Sequence, residues 1–256
     1  MPAPITVLHV EDDMQFAELT RRGLERESAA ISIETVANAD AAFDRITADP
    51  PDCVVSDYQM PGANGIEFLR ELRADYPDLP FILYTSKGSE AVASDAISAG
   101  VTDYIQKDAT TQQYELLAQR IEQAVARQRA ERDYREIFEK VPAGIVVHDP
   151  ETGEIVDANR RFCELLGHDH EDVIGMTVGD FSADEPDYDA AKGHNKIREA
   201  AAGEPQRFTW RDQTSDGETF PVEVALERTT IGGQERVLAF VRDISDDDPE
   251  GGDAPD

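Results

Sequence analysis

Through the first 125 residues, short apolar runs alternate with stretches whose apolar positions recur every three to four residues. The runs at 5–10, 53–56 and 81–84 and the pair Tyr104-Ile105 lack the polar alternation of half-exposed strands, and read as strands buried on both faces. A weaker strand at 31–36 fits between the first two. Phe16, Leu19 and Leu24, then Ile66, Leu69 and Leu72, mark helices that follow strands. Five such units predict an α/β fold over 1–125, a five-stranded doubly wound parallel sheet.

Residues 111–141 read as one long helix. Tyr114, Leu117, Ile121 and Val125 form its first apolar stripe, and Tyr134, Ile137, Phe138 and Val141 a later one. Between them 127–133 is almost wholly polar, so 126–140 is a helical linker without a sustained coiled-coil seam. It is either a solvated connector or a helix that pairs with a copy of itself. From 133 to 246 the pattern changes to an α+β domain with an antiparallel sheet. Strands are expected at 144–148, 154–157, 208–211, 219–228 and 236–242, with hairpin turns at Asp216-Gly217 and Gly232-Gly233. Residues 247–256 read as a disordered acidic tail.

Charge changes the picture next. The net charge is −30, and only five of the 24 basic residues are lysine. A basic partner is one reading; a halophile-type surface, whose self-repulsion salt screens, is the plainer one. Either way a basic face for nucleic acid is disfavoured. No apolar run approaches the roughly 20 residues of a membrane span. Met1-Pro2-Ala3-Pro4 lacks the charged start of a signal peptide, so a cytoplasmic location is expected. Cys53 and Cys163 belong to no CxxC pair and read as reduced core residues.

In a doubly wound sheet, chemistry gathers at the carboxyl ends of the strands. Glu11-Asp12-Asp13 follows the first strand, Asp57 closes the third, Thr85-Ser86 the fourth and Lys107 the fifth. Two carboxylates about 4 Å apart repel by roughly 4 kcal/mol at an effective dielectric near 20. Such a cluster calls for compensating charge, which a hard cation such as Mg²⁺ and the Lys107 ammonium supply. An acid at a strand end can also simply cap the next helix.

Residues 4–125 resemble the receiver domain of response regulators. The residues that carry the likeness are Val10-Glu11-Asp12-Asp13, Ser56-Asp57-Tyr58-Gln59-Met60-Pro61-Gly62, Gly65, Thr85-Ser86, Gly100 and Asp103-Tyr104-Ile105-Gln106-Lys107. The resemblance implies that Asp57 accepts a phosphoryl group from the phosphohistidine of a sensor histidine kinase. It implies a Mg²⁺ held directly by Asp12 and Asp57, through water by Glu11, and by the Gln59 backbone carbonyl. Lys107 and, after a shift, Thr85 would hold the phosphoryl oxygens, with Tyr104 turning inward as the switch. Two departures stand out: Glu11 where the family more often has Asp, and Asp108 where Pro commonly follows the lysine.

Residues 133–245 resemble a PAS domain. The likeness runs through Phe138–Ile145, Asp157–Phe162, Leu165-Leu166-Gly167, Val173-Ile174-Gly175 and Asp243-Ile244-Ser245. Phe208, Trp210, Phe220, Val222, Val224 and Leu226 alternate as the inner face of a sheet does, and read as packed core before cofactor box. The residues name no PAS ligand, and its absence stays open. His194 is a candidate haem ligand, an exposed helix histidine being the plainer explanation.

The expectation is therefore a two-component response regulator without a DNA-binding or kinase output domain. It would signal through the PAS module, and a homodimer through the linker and PAS domain is open. No enzyme activity is expected beyond assistance to its own phosphoryl transfer. The alternative is a ligand- or cofactor-binding PAS sensor whose receiver serves mainly as a docking domain. A phosphatase with a similar sheet is a rival, but it usually needs a second Asp where Gln59 stands.

Overall fold

The computed structural model describes residues 4–86, 90–108 and 112–246, so the expected tail at 247–256 lies outside the described residues. The chain divides into two units, Met1–Asp133 and Tyr134–Asp256.

The first unit alternates β1 (Ile5–Val10), α1 (Met14–Glu27), β2 (Ile31–Val36), α2 (Ala39–Ala48), β3 (Cys53–Ser56), α3 (Gly65–Asp75), β4 (Phe81–Thr85), α4 (Glu90–Ser98) and β5 (Asp103–Gln106). The five strands pair in parallel in the order β2-β1-β3-β4-β5. Each strand side is covered by its own apolar cluster. Ile5 and Val7 pack with Leu24, Leu117 and Ile121 on one side. Leu8 and Val10 pack with Ile46, Phe68 and Leu72 on the other. Burial on both sides explains why these strands read as unbroken apolar runs.

The predicted α1 stripe needs one correction. Leu19 is exposed, and the inward row is Ala17, Thr20, Gly23 and Leu24. Gly23 admits the ring of Tyr114, because a Cβ there would lie 2.5 Å from Tyr114 Cγ.

Helix α5 (Gln112–Lys140) is a single helix of 29 residues. Its polar middle is not a free connector. Arg129 binds the Pro4 carbonyl and Asp52 Oδ1, both at 2.8 Å, and Gln128 donates to the Asp78 carbonyl at 2.9 Å. These contacts tie 128 and 129 to the first unit, which periodicity alone does not reveal.

The second unit contains β6 (Gly144–His148), β7 (Ile155–Ala158), α6 (Arg160–Leu166), α7 (His170–Val173), α8 (Ala190–Ala201), β8 (Gln206–Gln213), β9 (Thr219–Ile231) and β10 (Gln234–Asp243). Its strands form an antiparallel sheet in the order β7-β6-β10-β9-β8. Gly217, Gly232 and Gly233 take positive φ (90°, 60° and 80°), as the two hairpin turns require. One face packs Phe162, Leu166, Trp210, Val222 and Val241. The other carries Ile145, Val147 and Phe240 against Phe138.

Asn159 joins these parts. It is fully buried, and its Nδ2 donates to the Phe138 and Ala143 carbonyls at 2.9 and 3.0 Å. Its Oδ1 accepts from the Ile145 and Phe162 amides at 2.8 and 3.1 Å, so it also caps α6. An apolar residue there strands several buried polar groups. Asn159→Ala is expected to lower the stability of the second unit by roughly 2–4 kcal/mol in urea denaturation. A loss under about 0.5 kcal/mol, the range of an ordinary surface change, would contradict this.

Candidate functional site

In the first sheet the chain leaves β1 toward β2 on one side, while β3, β4 and β5 extend the other. The crevice at the carboxyl ends of β1 and β3 is therefore the topological switch point. Val10 stands level with Ser56 across the two strands, so Glu11 and Asp57 emerge side by side. Backbone bonds hold these ends in place. The Asp57 amide donates to Val10 O and the Glu11 amide to Val36 O, both at 2.9 Å, and the Lys107 amide donates to Thr85 O at 2.8 Å.

One carboxylate oxygen from each of Glu11, Asp12 and Asp57 falls within 4.8 Å of the others. Glu11 and Asp57 are buried and Asp12 is exposed. Asp13 is the helix cap that a strand-end acid often is: its Oδ1 accepts from the Gln15 and Phe16 amides at 2.9 and 3.1 Å. Asp12 is thereby left to the pocket. Three hard oxygen donors at this spacing fit Mg²⁺.

The fixed cation is Lys107. Its Nζ lies 2.6 Å from Glu11 Oε2 and 3.3 Å from Asp57 Oδ1. It also sits 4.3 Å from the centroid of the Phe16 ring, whose π face favours a cation. Burial pushes the Glu11 carboxyl above the usual range, the hydrogen bond from Lys107 pulls it down, and Asp57 pushes it up. Beneath this pair lies His9, fully buried, with no hydrogen-bond partner for either ring nitrogen. Burial, and then the Lys107 charge, lower its pKa to about 3, so the ring stays neutral.

The remaining expected residues surround this pocket. Thr85 is buried at the end of β4. The Tyr104 ring packs against the α2/α3-side cluster, and its hydroxyl is buried without a partner. Gln59 is exposed two residues beyond Asp57.

Gln113 was not anticipated. It is buried, and its Oε1 accepts from Tyr84 Oη at 2.5 Å and from the Asp108 amide at 3.1 Å. It thus ties Asp108, which stands where the resemblance led one to expect proline, to β4. No cis peptide bond occurs among the described residues. A polar residue in a first helical turn gives no sequence signal for such a role. His9 and Phe16 were legible only as strand and helix positions.

Residues 7–121 match the response regulator receiver domain family, and residues 132–244 match the PAS fold. The chain carries a receiver domain followed by a PAS domain. The response regulator MprA of Mycobacterium avium is 32% identical over 60% of this chain and 65% of its own length. MprA of Mycolicibacterium vanbaalenii is 36% identical over 41% of this chain and 44% of its own. The chain thus spans less than two thirds of these curated relatives. Among solved structures, the PAS domain of an HTR-like protein from Haloarcula marismortui is 30% identical, with a TM-score of 0.44. That match covers 48% of this chain and 98% of the solved one.

The PAS domain encloses a cavity of about 40 Å³ between its sheet and α8, walled by residues such as Phe181, Ile197, Trp210 and Leu226. That volume does not fit a haem, being well below the roughly 150 Å³ that houses a benzene. His194 does not line it, and its ring lies against Gly153 instead, where a Cβ would come within 2.4 Å of Nδ1. Two buried titratable groups do line it, His148 and Asp212. Asp212 extends the alternation Phe208, Trp210 by one step, which is the sequence signal that could have found it. Among the described residues no partner for the Asp212 carboxyl is found, and burial raises its pKa to about 7. His148 Nδ1 lies 3.1 Å from the Gly153 carbonyl. Burial chiefly, with His194 nearby, lowers its pKa to about 4.

Two predictions follow from these contacts. A Cβ on Gly65 would meet the Asp57 carbonyl at 2.3 Å, so Gly65→Ala must displace the backbone that carries Asp57. It is expected to destabilise the receiver by about 1–3 kcal/mol in urea denaturation, and wild-type stability would overturn this reading. For His148, a folded-state pKa near 4, below the unfolded 6.5, means that protons bind the unfolded chain first. Its contribution is whole above about pH 6.5 and is lost as pH falls toward 4, roughly 2 kcal/mol at pH 5. Asp212, raised to about 7, contributes in the opposite sense, stabilising as pH falls through 7. Relative to wild type, His148→Gln should therefore gain about 2 kcal/mol between pH 8 and pH 5 in urea titrations. An offset identical at both pH values would contradict it.

Proposed function

We propose that this chain is a two-component response regulator that accepts a phosphoryl group on Asp57 from a histidine kinase and signals through its PAS domain. The observation that carries the reading is the cluster itself: Asp57 Oδ1 lies 3.3 Å from Lys107 Nζ, with Glu11 and Asp12 alongside. In the transfer, an Asp57 carboxylate oxygen bonds to phosphorus while the bond from phosphorus to the donor's imidazole nitrogen breaks. The electron pair remains on that nitrogen, which takes up a proton.

Asp12 and Asp57 would ligate Mg²⁺ directly, Glu11 through water, and the Gln59 carbonyl would complete the protein's share. Bound there, the ion supplies positive charge against the entering phosphoryl oxygens. Lys107, now shared between Glu11 and Asp57, turns to the phosphoryl oxygens and keeps the acceptor in place. Thr85 donates its hydroxyl to the phosphoryl group after a shift. Tyr104, whose hydroxyl is already buried without a partner, is the aromatic switch whose packing responds. The resulting bias passes along α5 to the PAS domain. Tyr134 and Ile137, both exposed on α5, leave an apolar strip on which a second copy can pair. No helix among the described residues is long and apolar enough to cross a membrane, and a cytoplasmic location suits the proposed kinase partner. The net charge of −30 suits a salt-rich milieu, in which such a surface is screened.

Phosphoramidate with Mg²⁺ should label the intact chain with one phosphoryl group by mass spectrometry, and EDTA or Asp57→Asn should abolish the label. Labelling that persists in Asp57→Asn would overturn the assignment. Rapid turnover of the donor without stable label would favour the phosphatase reading. Hydrogen exchange in the PAS domain should differ between the phosphorylated and unphosphorylated chain; identical exchange would remove the proposed output.

A further inference from the structure

The cavity of the PAS domain presents an unusual contrast. Its walls are apolar and aromatic, yet Asp212 is only 2% exposed and has no hydrogen-bond or ion-pair partner among the described residues. Strand alternation on β8 puts Asp212 on the same face as Phe208 and Trp210, toward the core. His148 does not neutralise it. His148 stands level with Val237 and Arg228, whereas Asp212 stands level with Phe220, eight positions away along β9. A buried carboxyl without a partner is costly, and native proteins rarely keep one without use for it.

We propose that this cavity binds a small primary alkylammonium ion, its charged head received by Asp212 and its short chain by the apolar walls. The head supplies both the charge and the N–H donors that the carboxyl lacks. The ring of Trp210 lines the same space, and aromatic faces favour a cation, whereas the Phe208 ring already carries Lys196 Nζ 4.3 Å from its centroid. A volume of about 40 Å³, about a quarter of the roughly 150 Å³ that houses benzene, admits a head and one or two carbon atoms, but no bulky cofactor. A neutral molecule of the same shape would leave the carboxyl unpaired as a charge. A larger amine would have to open the packing between Ile197 and Leu226.

Trp210 is the only tryptophan of the chain and lines the cavity, so its fluorescence reports on occupancy. The intact protein is titrated at pH 7.5 and constant ionic strength with methylammonium, ethylammonium and n-propylammonium chlorides, and with methanol, ethanol and 1-propanol as their neutral isosteres. At least one of the amines should produce a saturable change, with an apparent affinity at least about tenfold above that of the alcohol of the same chain length. Asp212→Asn should weaken that amine at least about tenfold while leaving the response to that alcohol unchanged. If no amine saturates, or if every saturating amine binds no better than the alcohol of its chain length, the proposal is overturned. Should Asp212→Asn not fold, the comparison of amine with alcohol on the wild-type chain decides alone. The titration needs neither Mg²⁺ nor a phosphoryl donor, so its outcome is separate from that of the Asp57 assignment.

Discussion

Everything at the receiver's site turns on one shortage of charge: three carboxyl groups converge on a sheet edge that, among the described residues, provides a single ammonium, Lys107. At 2.6 Å from Glu11 and 3.3 Å from Asp57, that ammonium is shared between two buried acids. Neither pairing is complete, and an incompletely neutralised pocket stores a standing preference for further positive charge. Under the proposed function, the same imbalance is what would draw a hard cation and ready Asp57 for a group that Lys107 can hold. Burial sharpens it, because interactions that water would screen act here at lower dielectric. His9 below the pair adds no charge of its own, since burial keeps its ring neutral.

The scaffold serves that shortage by leaving its backbone little freedom. Strand-to-strand amides place Glu11, Asp57 and Lys107 at one edge, and Gly65 clears the space in which the Asp57 carbonyl lies. Gln113 holds Asp108 through its amide and reaches Tyr84 as well. Asp108 is thus fixed by a hydrogen bond from the next helix, and not by the ring of a proline. Asp13 is spent as a helix cap, which leaves Glu11 and Asp12 of the three consecutive acids for the site. The PAS domain shows the opposite economy. Asn159 satisfies all four of its hydrogen bonds, while the Asp212 carboxyl, also buried, finds no partner among the described residues. One is a structural joint; the other is a vacancy in the hydrogen-bonding of an otherwise apolar core.

How much of this was legible in the residues depends on the range of the signal. Unbroken apolar runs such as Cys53–Ser56 announce strands buried on both faces, and glycine pairs announce hairpins, because both reflect local geometry. Strand ends then place Asp57, Thr85 and Lys107 near one another by topology alone. The α1 stripe failed at Leu19 because a three-to-four residue period does not by itself say which face is inward. The polar middle of α5 left a solvated connector and a self-pairing helix open, yet Arg129 finds Asp52 from far away in the chain. Such pairings have no local trace.

The sequence by itself determined the two fold classes, the strand-end acids and the lysine that faces them, since period, punctuation and residue type are local properties. Only the tertiary structure decided which acid caps a helix and which join the pocket, how Lys107 divides itself between Glu11 and Asp57, and what holds Asp108 next to it. It alone separated Asp212 from the packed residues with which it alternates. The physical reason is the same in each case: partnership and burial are properties of what surrounds a side chain, and its surroundings come from residues distant along the chain.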